Sequence, residues 1–124
     1  MKATELNIEI LNWQTLKDVP SASGIVKFNE DFFVIGDDSP YLFRIDKHFD
    51  LLSKFLIHPA EKLKGDRIPK FDKPDFEAME MISESEMLVF GSGSKSPVRD
   101  VCVLIEIGEE TRFKEYNKPC FIIT

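Results

Sequence analysis

The chain is a succession of short β-branched and aromatic runs, each cut off by turn-forming residues, and helical periodicity is weak along nearly all of it. Such runs read as strands, because branched and aromatic side chains suit a pleated, half-buried surface, while Gly, Pro, Asn and Asp end it. Residues 5–11 place Leu6, Ile8 and Ile10 on one side of an expected strand. Residues 24–28 are a second, and Asn29, Glu30 and Asp31 a tight turn. Residues 32–35 are continuously apolar, as in a strand buried on both faces. A loop over 36–40, a strand over 41–45, a turn over 46–50 and an outermost strand over 51–57 follow. Residues 58–74 break this rhythm with prolines and lysines and read as a long connection, with a helical turn expected around 61–64.

The pattern then returns. Strands are expected over 76–82, 87–90 and 101–107, with a Ser/Gly-rich loop over 91–100 and the start of a fourth strand at 112–116. Gly24-Ile25-Val26 aligns with Glu77-Ala78-Met79 at an offset of 77 − 24 = 53, and Val34-Ile35-Gly36 with Val89-Phe90-Gly91 at 91 − 36 = 55. Ser39-Pro40 and Ser96-Pro97 fall in matching loops. A four-strand unit recurring at this period is the mark of a propeller blade. The expectation is an all-β chain of antiparallel four-stranded blade repeats, a partial β-propeller, as a single domain with units at 20–57 and 75–116 joined by 58–74. A sandwich or barrel of similar strands is the alternative. Propellers close with about four to eight blades. Two units therefore imply a truncated piece of a longer protein, copies that assemble through exposed strand edges, or a compact sheet of another kind.

Composition narrows the function. The 124 residues carry a formal charge of −6, which argues against gripping a nucleic-acid backbone and is compatible with cation binding. No apolar run reaches bilayer length and the first thirteen residues lack a signal-peptide core, so no membrane association and a cytoplasmic location are expected. Cys102 and Cys120 lack metal-type spacing and read as small buried hydrophobes. Among the 11 phenylalanines, Phe32, Phe33, Phe43, Phe49 and Phe55 read as packing between blades.

Four stretches carry a resemblance: residues 20–25 (PSASGI), 35–43 (IGDDSPYLF), 74–79 (PDFEAM) and 90–101 (FGSGSKSPVRDV). Over about residues 20–107 the chain resembles a bacterial family of unknown function whose members look like the N-terminal part of six-bladed propellers. The Asp-Phe-Glu-Ala string is more distantly similar to a motif of phytase-like esterases and SdiA-regulated propellers. Paraoxonase-type calcium lactonases also carry a Glu at the start of an innermost strand, followed by a Ser-Gly loop. The resemblance implies a propeller and says little of activity, since fold and function are separable.

In alternating antiparallel strands, the loop between the second and third strands lies on the same side as the connection to the next unit. Asp37, Asp38 and Ser39, the 92–100 loop and the connection ending at Asp75 are therefore expected on one loop face. Asp75 and Glu77 are expected on one side of an innermost strand, with Phe76 on the other. Hard carboxylate oxygens suit Ca²⁺, so Asp37, Asp75 and Glu77 are the candidate metal ligands. Asp37, Asp38, Ser39, Ser92, Ser94, Lys95 and Arg99 are the candidate ligand-binding residues, with Lys95 and backbone N–H groups as an anion site. Arg99 and Asp100 are expected to pair. Asp37 and Asp38 serve equally well to shape a turn. His58 is the plausible histidine base, while His48 lies in a turn on the opposite side. Two classes follow: a non-catalytic module binding a small ligand or protein partner on its loop face, and a metal-dependent esterase, lactonase or phosphoesterase. No catalytic residue is identified.

Overall fold

A computed structural model describes residues 5–59, 63, 65, 67–69, 73–94, 101–108 and, for the backbone alone, 112–116. These residues contain strands and turns and no helix. Eight strands run in chain order: β1 (Ala22–Phe28), β2 (Asp31–Gly36), β3 (Tyr41–Ile45), β4 (Leu51–Leu56), β5 (Phe76–Met81), β6 (Glu86–Gly91), β7 (Cys102–Glu106) and β8 (Arg112–Tyr116). They form two four-stranded antiparallel sheets, β1-β2-β3-β4 and β5-β6-β7-β8, each strand pairing with its sequence neighbour. The all-β architecture of consecutive four-stranded antiparallel units is thus as expected.

The turns explain the short strand lengths. Asn29, with φ 54°, closes the β1–β2 hairpin between the paired residues Phe28 and Asp31, because a short polar side chain tolerates the left-handed region. Asp46 organises the β3–β4 turn: its Oδ1 accepts the backbone N–H of His48 at 2.8 Å and of Asp50 at 3.0 Å. The Asp50 N–H bond, foremost, holds the Asp46 carboxyl below its ordinary pKa, because it stabilises the charged form.

Both sheets break their first ladder at the same place. The β1–β2 register passes from Ala22↔Gly36 to Gly24↔Ile35, and the β5–β6 register from Phe76↔Gly91 to Ala78↔Phe90. Ser23 and Glu77 are the extra residues of two β-bulges. Gly24 therefore corresponds to Ala78, at 78 − 24 = 54, and not to Glu77. The expected offset of 53 was one residue out, and a one-residue slip turns every side chain to the wrong face.

With that register, the packing of the sheets is directional. One face of the first sheet, carrying Phe33, Ile35 and Leu42, forms a single core with Met87, Val89, Val103 and Ile105 of the second. The residues of β6 equivalent to Phe33 and Ile35 of β2 are Leu88 and Phe90, which lie on the far face of the second sheet. The first sheet thus packs its front against the back of the second. Strands β1 and β5 are the nearest neighbours across the interface, and the Ser23 hydroxyl donates to the Phe76 carbonyl there.

The back of the first sheet holds a second cluster of Val34, Phe43 and Ile45 with Val19, against which Leu16, Phe32 and Phe49 pack. Of the phenylalanines expected between units, Phe33 and Phe55 lie in the inter-sheet core, whereas Phe32, Phe43 and Phe49 line this outer face. Residues 5–11, expected as a strand, form none. Alternation suits a strand only where a neighbouring ladder takes up its backbone groups, and here Leu6, Ile8 and Ile10 stand 78 to 82% exposed. Part of the turn expected at 61–64 lies outside the described residues.

Candidate binding site at the loop ends of the sheets

The site is built where β2 runs out. Gly36 ends the strand under the backbone of Pro20, so closely that a Cβ there would lie 2.3 Å from the Pro20 carbonyl oxygen. That approach lets the Asp37 N–H donate to the Ser21 carbonyl at 3.1 Å, which fixes the following acidic pair. Ser21 itself has φ 48°, and Asp75, which enters β5 in the equivalent place (75 − 21 = 54), has φ 56°. A left-handed residue followed by a bulge is thus the shared entry into each first strand.

Asp37 and Asp75 are brought together, as expected, but around a cation of the chain's own. The Lys73 ammonium lies 3.8 Å from Asp37 Oδ2 and 3.2 Å from Asp75 Oδ1. Lys73 is 18% exposed and Asp75 11%, so this triad is shielded from solvent more than a surface pair. Glu77 does not share the side of Asp75. The left-handed turn at Asp75 and the bulge at Glu77 interrupt the alternation, leaving Asp75 buried and Glu77 exposed. Among the described residues, no group of three or more His, Cys, Asp or Glu side chains is placed to hold a metal ion.

Asp38 is served by different partners. Its Oδ2 accepts the Ser21 hydroxyl at 3.4 Å and lies 3.6 Å from the Arg67 guanidinium. Its backbone carbonyl accepts the Ile68 N–H, which ties the long connection to the β2–β3 loop. Its Oδ1 is buried and has no hydrogen-bond partner among the described residues. A carboxylate oxygen in that position is costly until a donor reaches it.

The remaining candidates divide. Ser39 is fully buried and accepts the Tyr41 N–H at 3.3 Å, a turn-shaping role. The Ser92 and Ser94 hydroxyls lie 2.8 Å apart, and Ser92 Oγ accepts the Ser94 N–H at 3.2 Å, around Gly93 with φ 68°. Lys95, Arg99 and Asp100 lie outside the described residues. His58 sets its ring edge-on to Phe76, with centroids 5.9 Å apart, so it is half-buried against the core.

Sequence reasoning missed Ser21, Arg67 and Lys73, which neutralise or hold the aspartates. The lysine and arginine of the 58–74 connection were visible, but nothing local indicated which carboxylates they would meet. It also missed an open pocket of about 670 Å³ beside Ser21 and Arg67, whose lining includes Lys17, Asp18, Leu51 and Lys54. The pocket is of a size that accepts a small ligand. Three cations line it in a chain of net negative charge.

A family model described as "Family of unknown function (DUF6929)" matches residues 18–120. No curated protein matches the chain, and no solved structure does.

Proposed function

Because the chain belongs to the family of unknown function DUF6929, whose match spans both sheets and the connection between them, we propose from the site alone that it is a ligand-binding propeller module. Its contact surface is the loop end around Ser21, Asp38 and Arg67. The ring reading is supported by the front-to-back packing. The front of the first sheet meets the back of the second, which is how consecutive blades stack. The binding reading is carried by the Asp38 carboxylate. One oxygen is held by Ser21 and Arg67 and the other is buried without a partner among the described residues, beside a pocket that shares those two side chains. A small molecule bearing both an anionic group and a hydrogen-bond donor matches this setting. The cationic rim takes the first and Asp38 the second.

Thermal melts with inorganic phosphate and with free amino acids test the proposal on the parent, Arg67→Ala and Asp38→Asn. The parent is expected to gain melting temperature with the amino acids, and each variant to lose most of that gain. No shift in the parent, or an equal shift in all three, ends it.

A metal-dependent hydrolase is the second reading, favoured by the convergence of Asp37 and Asp75 on one cationic head. Ca²⁺ would replace the Lys73 ammonium between Asp37 and Asp75 and would polarise a carbonyl or phosphoryl oxygen. Lys73→Gln is then expected to raise Ca²⁺ affinity by calorimetry. Turnover of an ester, lactone and phosphate-ester panel is expected to require Ca²⁺ and to vanish with EDTA. No Ca²⁺ heat with either protein removes this reading and leaves the first intact.

A further inference from the structure

Residues 5–13 contain Leu6, Ile8, Ile10, Leu11 and Trp13, which are 80, 82, 78, 87 and 79% exposed. A run of large apolar side chains left in water marks an unmet interaction. The pattern over 5–11 is that of a strand, with Leu6, Ile8 and Ile10 alternating against Glu5, Asn7 and Glu9. Its place in the chain is also that of a strand: like β4 before β5, it precedes a connection that leads into the first strand of a sheet. It lacks only a ladder.

Within the described residues, β4 offers a vacant one. It ends the order β1-β2-β3-β4, so its outer edge is paired to no strand. Leu52 and Leu56 on it are 53 and 46% exposed. The charges are complementary: Lys54 is the one charged side chain of β4, and Glu5 and Glu9 are the charged side chains of 5–11.

We infer that residues 5–11 are an addition strand that pairs antiparallel with the outer edge of β4 in a second copy of the chain, the exchange being reciprocal. One register satisfies both the apolar and the charged side chains. Glu9 lies opposite Lys54 and Ile8 opposite Phe55. Opposite residues share a face, so the ion pair forms on one side and the aliphatic–aromatic contact on the other. Main-chain bonds supply the affinity of such strand addition, and side-chain pairing supplies its register. A reciprocal two-fold exchange closes on itself, and each copy contributes the pair once, so a substitution acts twice per dimer.

Sedimentation equilibrium of the full chain tests this with four proteins: parent, Glu9→Lys, Lys54→Glu and the double reversal. The parent is expected to dimerise, each single reversal to weaken the dimer by about tenfold, and the double reversal to return it to within about threefold of the parent. Ile8→Pro, which removes a ladder N–H from a segment without secondary structure in the single copy, is expected to abolish the dimer while leaving the melting temperature of the monomer unchanged. Melts of Lys54→Glu serve as its control, since Lys54 Nζ also lies 4.5 Å from the Tyr41 ring centroid. A parent that stays monomeric up to about 1 mM overturns the inference. So does a dimer that survives Ile8→Pro, or a double reversal that fails to recover.

Discussion

The two sheets enter by the same backbone device and use different side chains in it. Ser21 and Asp75 are both left-handed, Ser23 and Glu77 both sit in bulges, and Gly36 and Gly91 both lie opposite the residue just before the bulge. Yet Ser21 gives its hydroxyl to Asp38, whereas Asp75 meets Lys73. Backbone geometry is what the repeat conserves between its two halves, and the side chains at the loop ends are free to differ. The halves differ in burial too. The front of the first sheet is covered by the second, while Leu88, Phe90 and Leu104 on the front of the second are only half-buried.

Truncating equivalent positions on the two fronts is expected to give the largest difference between the sheets. Ile35→Ala, at a fully buried site, is expected to cost about 3 kcal/mol in denaturant melts, and Phe90→Ala about 1 kcal/mol. Equal losses would mean that something covers the second front as fully as the first. Next in size is Gly36→Ala. Its Cβ would meet a backbone oxygen, which cannot swing aside, so a loss of about 2 kcal/mol is expected, with a weakened Asp37 N–H bond seen as faster amide exchange.

The shared left-handed entry gives a smaller and more discriminating pair. Ser21→Gly relieves backbone strain at the loss of one long hydrogen bond, so stability should change by less than about 1 kcal/mol, in the favourable direction. Asp75→Gly relieves the same strain but takes a shielded carboxylate from Lys73, and is expected to be destabilising by about 1 kcal/mol. The same sign for both would show that the side chains matter less than the turn. The smallest effect concerns pH. Asp46 has a lowered pKa in the folded chain, so its contribution is present above its unfolded pKa of about 4 and is lost as pH falls through the lower folded value. The melting advantage of the parent over Asp46→Asn should shrink steadily in a series from neutral pH downward through that window.

Much of the fold was legible in the sequence for a physical reason. Strands β2, β3, β6 and β7 are packed on at least one face and often both, so their apolar runs are long enough to stand out, and the polar turns between them are short. Two features escaped. A bulge adds one residue without changing composition, so the alignment of β1 on β5 came out one position short. Alternation over residues 5–11 shows the capacity for a strand, but a strand is realised by a neighbour's free edge, which no local pattern encodes. At the site, the sequence named Asp37, Asp38 and Asp75 because acidic turns are conspicuous. It did not yield Lys73 and Arg67 as their partners, since those meet the aspartates only through a long connection whose path is set by contacts such as the Ile68 N–H to the Asp38 carbonyl.

Glu77 stands one unit along from Ser23, the residue whose hydroxyl reaches across to the carbonyl of the adjoining sheet. A carboxylate offers acceptor oxygens where Ser23 offers a hydroxyl donor, so Glu77 does not repeat that bond. An N–H or a positive charge is what complements Glu77 on that outer side. One acidic side chain in a bulge therefore gives the outer side of the second sheet a different chemical demand from the one Ser23 meets in the first.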